Sequence, residues 1–103
     1  MADYHMIPDH CRESMQNYIE RGVPVGDFLR NVIENNLVKA ISYADDVNRP
    51  RLRDYALFLC NEAPRGPVPS WGSEQAYAEW VEIGGLFGLR AGRLPERLAD
   101  NAA

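Results

Sequence analysis

The sequence predicts an all-α protein, a compact bundle of about five short helices around a central apolar helix at about 48–62. Three observations predict it. Apolar residues recur at helical spacing in five separate stretches. No stretch alternates apolar and polar residues for long enough to make a strand. The stretches are divided by helix caps and stops and joined by short connections, the pattern of a helical bundle.

The first helix is predicted to begin at Pro8, where a missing N–H costs nothing, with Asp9 at the positive end of the helix dipole. Cys11, Met15, Tyr18 and Ile19 share its inner face, and Gly22 ends it in the left-handed conformation. After the tight connection Val23-Pro-Val-Gly-Asp27, a second helix is predicted over 26–35. Phe28, Leu29, Val32 and Ile33 form its stripe, with Asp27, Arg30, Asn31 and Glu34 in water. Asn35-Asn36 is a natural break, because asparagine tolerates the left-handed region. One long kinked helix through this point is the alternative. The third helix is predicted over 37–45, with Leu37, Ala40, Ile41 and Ala44 inward and the two alanines admitting a close neighbour.

Asn48 is the expected cap of the fourth helix, with Pro50 in its first turn. Leu52, Tyr55, Ala56 and Leu59 recur at helical spacing, and Leu57, Phe58 and Cys60 widen the stripe until most of the segment is apolar. Such a helix belongs at the centre, so Cys60 is expected in the deepest packing. Pro64 limits it. Arg65-Gly-Pro-Val-Pro69 is expected to cross in extended form, held by a polar clamp from Asn61 and Glu62. Ser73 caps the fifth helix, which buries Ala76, Tyr77, Trp80 and Val81 and stops at Gly84-Gly85. Residues 1–85 then form one helical domain. Residues 86–103 form an extension, with a possible turn of helix at 95–100 and a loose end.

At 103 residues with 46% apolar and 25% charged side chains, the chain holds enough apolar surface for one modest core. The formal charge of −4 argues against direct binding of nucleic acid, since no global positive field attracts phosphates. No apolar run approaches the roughly 20 residues that cross a bilayer, so no membrane role is expected. The first residues, Met1-Ala-Asp-Tyr-His, lack a basic stretch followed by an apolar one, so a cytoplasmic location is expected. Cys11 and Cys60 read as buried thiols of a reducing compartment.

The search for chemistry gives few candidates. His5, Asp9, His10 and Cys11 are close in sequence, but adjacent His10 and Cys11 diverge by about 100° on a helix, and no metal site is expected. Both histidines lie far in sequence from Cys60, so no activated thiol is expected there. Asp45-Asp46 belongs to a solvated turn. Gly84-Gly85-Leu-Phe-Gly88 follows a helix, so it matches no nucleotide-binding fingerprint. No catalytic residue, metal or cofactor is expected, and the chain reads as a protein that is not an enzyme.

Contact residues are the better prospect. Arg49, Arg51 and Arg53 open the fourth helix, with Arg49 and Arg53 on one face. They could hold a phosphate or an acidic partner, or could form a solvated helix start with Arg53 paired to an acid. Trp71 either staples the fifth helix or anchors a partner. Leu86, Phe87 and Leu89 either fold back on the core or meet a partner.

Several motifs together carry a resemblance. Ile7-Pro8, Tyr18-Ile-Glu-Arg-Gly-Val-Pro-Val-Gly-Asp-Phe-Leu29, Val32-Ile-Glu-Asn-Asn-Leu37, Ala44-Asp-Asp-Val-Asn48, Tyr55 to Pro64 and Trp71-Gly-Ser73 occur in this order over residues 7–84. The order resembles that of small accessory proteins encoded by bacteriophages and prophages. Those proteins commonly read Asn-Asp-Leu where this chain has Asn35-Asn36-Leu37. The resemblance implies a phage accessory protein acting on host defence and transfers no functional residue. The expectation that follows is a binding protein that blocks a bacterial defence complex, in the manner of an anti-CRISPR protein, through contact with a host protein or complex. One alternative is a small helical oligomer that sequesters a nucleotide second messenger, with the arginines on phosphates. Another is a structural or housekeeping phage protein, with a homodimer formed through residues 86–89.

Overall fold

The computed structural model describes residues 2–98; among them there are six α-helices up to Arg90, a further helical turn at 96–98 and no strand. The six are α1 (Asp9–Arg21), α2 (Asp27–Ile33), α3 (Leu37–Tyr43), α4 (Leu52–Asn61), α5 (Glu74–Ile83) and α6 (Gly85–Arg90). Single 3-10 turns at Tyr4–Met6 and Arg49–Arg51 precede α1 and α4. The all-α bundle read from the sequence is therefore the observed fold.

The helix ends follow local chemistry. Pro8 immediately precedes α1, and Gly22 closes it at φ 67°. Ser73 Oγ accepts the N–H of Ala76 at 3.0 Å and starts α5, which Gly84 ends in the left-handed conformation. Asn35 turns the chain at φ 63°, so α2 and α3 are separate helices and the single kinked helix does not form.

The centre of the core differs from the expected one. Trp80 on α5 is fully buried, and its indole Nε1 donates to the carbonyls of Tyr18 and Ile19 at 3.0 and 3.1 Å. These belong to the last turn of α1, and the Tyr18 carbonyl also accepts the Gly22 N–H at 2.9 Å, so the indole shares that acceptor with the helix cap. The Tyr18 ring stacks on Tyr77 with centroids 5.3 Å apart, and its hydroxyl donates to the carbonyl of Ser70 at 2.7 Å. Beside this clamp the backbones of α1 and the α5–α6 junction touch through two left-handed glycines. A Cβ on Gly22 would lie 2.6 Å from the Trp80 carbonyl oxygen, and one on Gly85 would lie 2.4 Å from Gly22 N.

By contrast, α4 is not the all-round apolar axis. It buries Tyr55, Phe58 and Leu59 along one stripe, while Ala56 and Cys60 are exposed. Tyr55 and Phe58 are as fully buried as Tyr18 and Trp80, so α4 gives one face to a core that it shares with α1 and α5. Cys60 is thus a surface thiol, and Cys11 is half-buried. In α2, Asn31 and Glu34 are buried and not in water: Asn31 Nδ2 donates to the Asp27 carbonyl at 2.8 Å, and Glu34 pairs with Arg30 at 2.8 Å. In α3 only Ala40 is buried, with Ala44 just beyond it. Leu37 is 63% and Ile41 43% exposed, so the predicted four-residue inner face shrinks to its two alanines.

The proline-rich joint is not helical, but it closes on itself instead of crossing extended. Both the backbone N–H and the hydroxyl of Ser70 donate to the Pro64 carbonyl, at 3.1 and 2.7 Å. Glu62 does not clamp it, because its carboxylate accepts the N–H of Asp3 at 2.6 Å. From Gly85 the chain continues as α6 against α1, so residue 86 begins no loose segment. Beyond it, Arg93 donates to the Glu82 carbonyl at 2.9 Å and Arg97 to Glu79 at 2.6 Å. Leu98 N–H donates to the Pro95 carbonyl at 2.9 Å, which makes a turn in the first part of 95–100. The rest of that turn and the expected loose end, residues 99–103, lie outside the described residues.

The seam makes two predictions. Gly22→Ala should destabilise the protein by about 3 kcal/mol or more, combining a left-handed residue with a backbone clash. Gly26→Ala, at φ −72° with nothing within 4 Å of the new Cβ, should stay within about 1 kcal/mol. Urea midpoints measure both, and equal midpoints would contradict the close approach. Trp80→Phe, which removes the donor to two carbonyls and leaves a cavity where the indole's second ring stood, should cost about 3 kcal/mol by the same measurement.

Candidate functional site

The left-handed turn at Asn35 and the small side chains of α4 together create an apolar groove between α2–α3 and α4. Val32, Leu37 and Ala40 form one wall and Leu52, Ala56 and Leu59 the other. Trp71 and Cys60 also line it, and its volume is about 280 Å³. None of the residues lining it is acidic, although the chain carries 15 carboxylates. The adjoining hollow shares Asn35 and Trp71, and its one charged lining residue is Arg65. Next to the groove, α3 presents Val38, 77% exposed, together with Leu37 and Ile41. On a helix these three positions fall on one side, flanking the buried Ala40.

The arginine trio separates into different roles. Arg49 lies 3.5 Å from Asp46 and donates to the Ala44 carbonyl at 3.1 Å. Arg51 pairs with Asp54 and donates to the Met6 carbonyl at 3.2 Å. Arg53 is exposed and makes no ion pair among the described residues. It sits three residues before Ala56 and seven before Cys60, on the exposed face of α4. Trp71 is half-buried under the Arg65 guanidinium, 5.1 Å from the ring centroid. Its indole N–H is buried with no hydrogen-bond partner among the described residues, which costs about 1–3 kcal/mol.

Leu86 and Phe87 line a separate cleft of about 620 Å³, together with Glu20, Glu62 and Arg90. Leu86 and Leu89 pack against the core, while Phe87 is half-exposed with Arg21 5.7 Å from its ring. Trp71 thus lines the groove, and helical spacing puts Arg53 at its edge beside Ala56 and Cys60, whereas Arg49 and Arg51 are held by Asp46 and Asp54 and Leu86 and Phe87 line a different cleft.

A polar knot that the sequence reading missed lies on another side. Asn48 does not cap α4. It is buried, its Oδ1 accepts the Tyr55 hydroxyl at 2.6 Å, and its Nδ2 donates to Cys11 Sγ at 3.5 Å. His10 Nε2 lies 3.0 Å from Asp45 Oδ2 and 3.3 Å from Asn48 Nδ2. One ring nitrogen cannot donate to Asp45 and accept from Asn48 at once, so the shorter bond to the carboxylate is favoured. His10 thus faces Asp45 and not the neighbouring thiol. Asp45 Oδ1 also accepts the N–H groups of Asn48 and Val47 at 2.7 and 3.0 Å. The knot ties α1 to the turn before α4. The signal available in advance was the pairing of Cys11 and Tyr55 on inward faces, which required a polar residue between them. Among the described residues no group of three or more His, Cys, Asp or Glu could hold a metal.

No known family model matches the chain, and neither the curated proteins nor the solved structures give a match. Among the described residues no helix is long and apolar enough to cross a membrane.

The knot predicts a pH effect with a definite sign. The backbone N–H of Asn48, aided by His10 and the N–H of Val47, holds the Asp45 carboxyl below its usual range against the opposing effect of desolvation. A folded-state pKa below the unfolded one gives stability that is present above the ordinary aspartate range and lost as pH falls through the folded value. Wild type should therefore be more stable than Asp45→Asn at pH 7, and the gap should shrink only below about pH 4 and be small at about pH 2. Urea midpoints at pH 7 and at about pH 2 decide it, and a gap that widens in acid would refute the assignment. Tyr55→Phe, which removes the donor to buried Asn48 Oδ1, should cost about 1–2 kcal/mol.

Proposed function

We propose that the chain is a non-enzymatic binding protein that acts by protein–protein contact through the groove between α3 and α4. Taken with the resemblance of its motif order to phage accessory proteins, the proposed target is a bacterial defence complex, which the bound protein would inhibit. The observation that carries the reading is one surface that combines an apolar groove, three exposed aliphatic side chains, and Arg53 and Trp71 beside them. Tryptophan and arginine are the residue types most enriched at binding hot spots. An exposed apolar patch beside a groove is also a common mark of an interaction site.

Two other readings have less support. A phosphate-binding role needs the arginine trio to converge, whereas Arg49 and Arg51 are engaged with Asp46 and Asp54. A dimer through residues 86–89 needs an apolar face there, whereas Leu86 and Leu89 pack inward and Phe87 alone is exposed.

The test is affinity capture from a host lysate with immobilised wild type and the double variant Arg53→Glu/Trp71→Ala. Wild type should retain a defence component, and the variant should lose at least about 90% of it, the loss expected when hot-spot anchors are removed. Retention of no defence component by wild type, in a host whose immunity the protein weakens, would overturn the proposal.

A further inference from the structure

The groove also defines the kind of partner it fits. We infer that it receives an acidic amphipathic helix, whose leucine-sized side chains enter between α3 and α4 while its carboxylates face Arg53 and Arg65. This inference rests on the reading of the groove as the contact surface and adds the chemistry of the partner.

Shape supports a helix. Small-molecule pockets span about 300–1,000 Å³ and enclose their ligand, whereas this groove is about 280 Å³, open, and flanked by the aliphatic lip Leu37, Val38 and Ile41. Its floor has space for an incoming side chain because the exposed positions of α4 are small, Ala56 and Cys60. An apolar trough that runs beside a helix takes side chains spaced three and four residues apart on an incoming helix.

Charge supports acidity. The chain carries −4 overall, yet neither the groove nor the adjoining hollow is lined by a carboxylate. Arg30, Arg49, Arg51 and Arg97 pair with acids of the chain itself, whereas Arg53 and Arg65 make no ion pair among the described residues. Arg65 instead lies over Trp71, a residue of the groove. A positive rim on an acidic protein steers a negative partner and rejects a basic one. A second copy of this chain fits less well, because two such rims would meet.

The test uses a synthetic 18-residue amphipathic peptide with leucines on one face and glutamates elsewhere, and its twin with lysine in place of glutamate. Isothermal titration with the full chain should give micromolar binding of the acidic peptide and at least tenfold weaker binding of the basic one. Ala56→Glu fills the trough from an exposed position and should weaken the acidic peptide at least tenfold with an unchanged melting temperature. Arg53→Glu/Arg65→Glu should narrow or reverse the preference between the peptides. Equal binding of both peptides, no binding of the acidic one, or indifference to Ala56→Glu would overturn the inference. Light scattering tests the other occupant, and a dimer that Ala56→Glu converts to monomer would assign the groove to a second copy and also overturn it. Failure here is separable from failure of the proposed function. Equal lysate capture by wild type and Ala56→Glu, with no peptide bound, would remove the helix and leave the binding role. Peptide binding without capture of a defence component would do the reverse.

Discussion

The contact on which the rest of the molecule depends is the seam between the end of α1 and the α5–α6 junction. Two left-handed glycines, Gly22 and Gly85, meet there with no space for a Cβ on either. Beside them the Trp80 indole donates to two carbonyls at the end of α1. A buried tryptophan with a satisfied N–H contributes a large apolar area without leaving a polar group stranded. The glycines allow the helix ends to approach closely, and the tryptophan makes that approach favourable. Neither feature works alone: a bulkier residue at 22 or 85 would push the end of α1 beyond reach of the indole.

This placement of the core leaves the other side of the molecule thinly covered. Tyr18, Tyr77 and Trp80 fill the centre from α1 and α5, and α4 adds Tyr55, Phe58 and Leu59 from one flank. Little is left for α3 to cover: it packs against α2, and only Ala40 and, just beyond it, Ala44 are buried. A helix attached by two alanines lies close but shields few neighbours, so its own aliphatic residues stay in water. The groove opens where small side chains, Ala40, Ala56 and Cys60, stand between the larger Leu37, Leu52, Leu59 and Trp71.

Most of the fold was legible because its boundaries are local. Gly22, Asn35, Ser73 and Gly84 act through their own backbone or a hydrogen bond within a few residues, and each lies where the sequence predicts a break. Burial was less legible, because it depends on partners distant in the chain. Helical spacing put Leu37 and Ile41 on an inner face and Cys60 at the centre, yet spacing ranks faces only within one helix. It cannot say that Trp80, 62 residues from Tyr18, already occupies the middle. The polar exceptions have the same origin. Asn48 has the right residue type for a cap, but Tyr55 and Cys11 capture it from seven and 37 positions away. Of the candidate contact residues, Trp71 lines the groove and Arg53 stays unpaired among the described residues, while Arg49 and Arg51 find acids three residues off.

The separation of the arginines sets how the surface can discriminate. A guanidinium paired with its own carboxylate presents little net field, so Arg49 and Arg51 are nearly silent to an approaching partner. Arg53 keeps its full charge at the rim, where it affects encounter and selectivity more than net affinity. Affinity must then come from the trough, and its depth is set by the side chains at 56 and 60. Were either position leucine, the helix would be more apolar and the groove would be filled by its own chain. An alanine and a cysteine at these positions lower the apolar content of α4 and leave an opening the size of another protein's side chains. The two sides of the molecule therefore serve opposite ends. The large residues at the seam hold the fold together, and the small residues facing α3 leave a surface that the fold itself does not need.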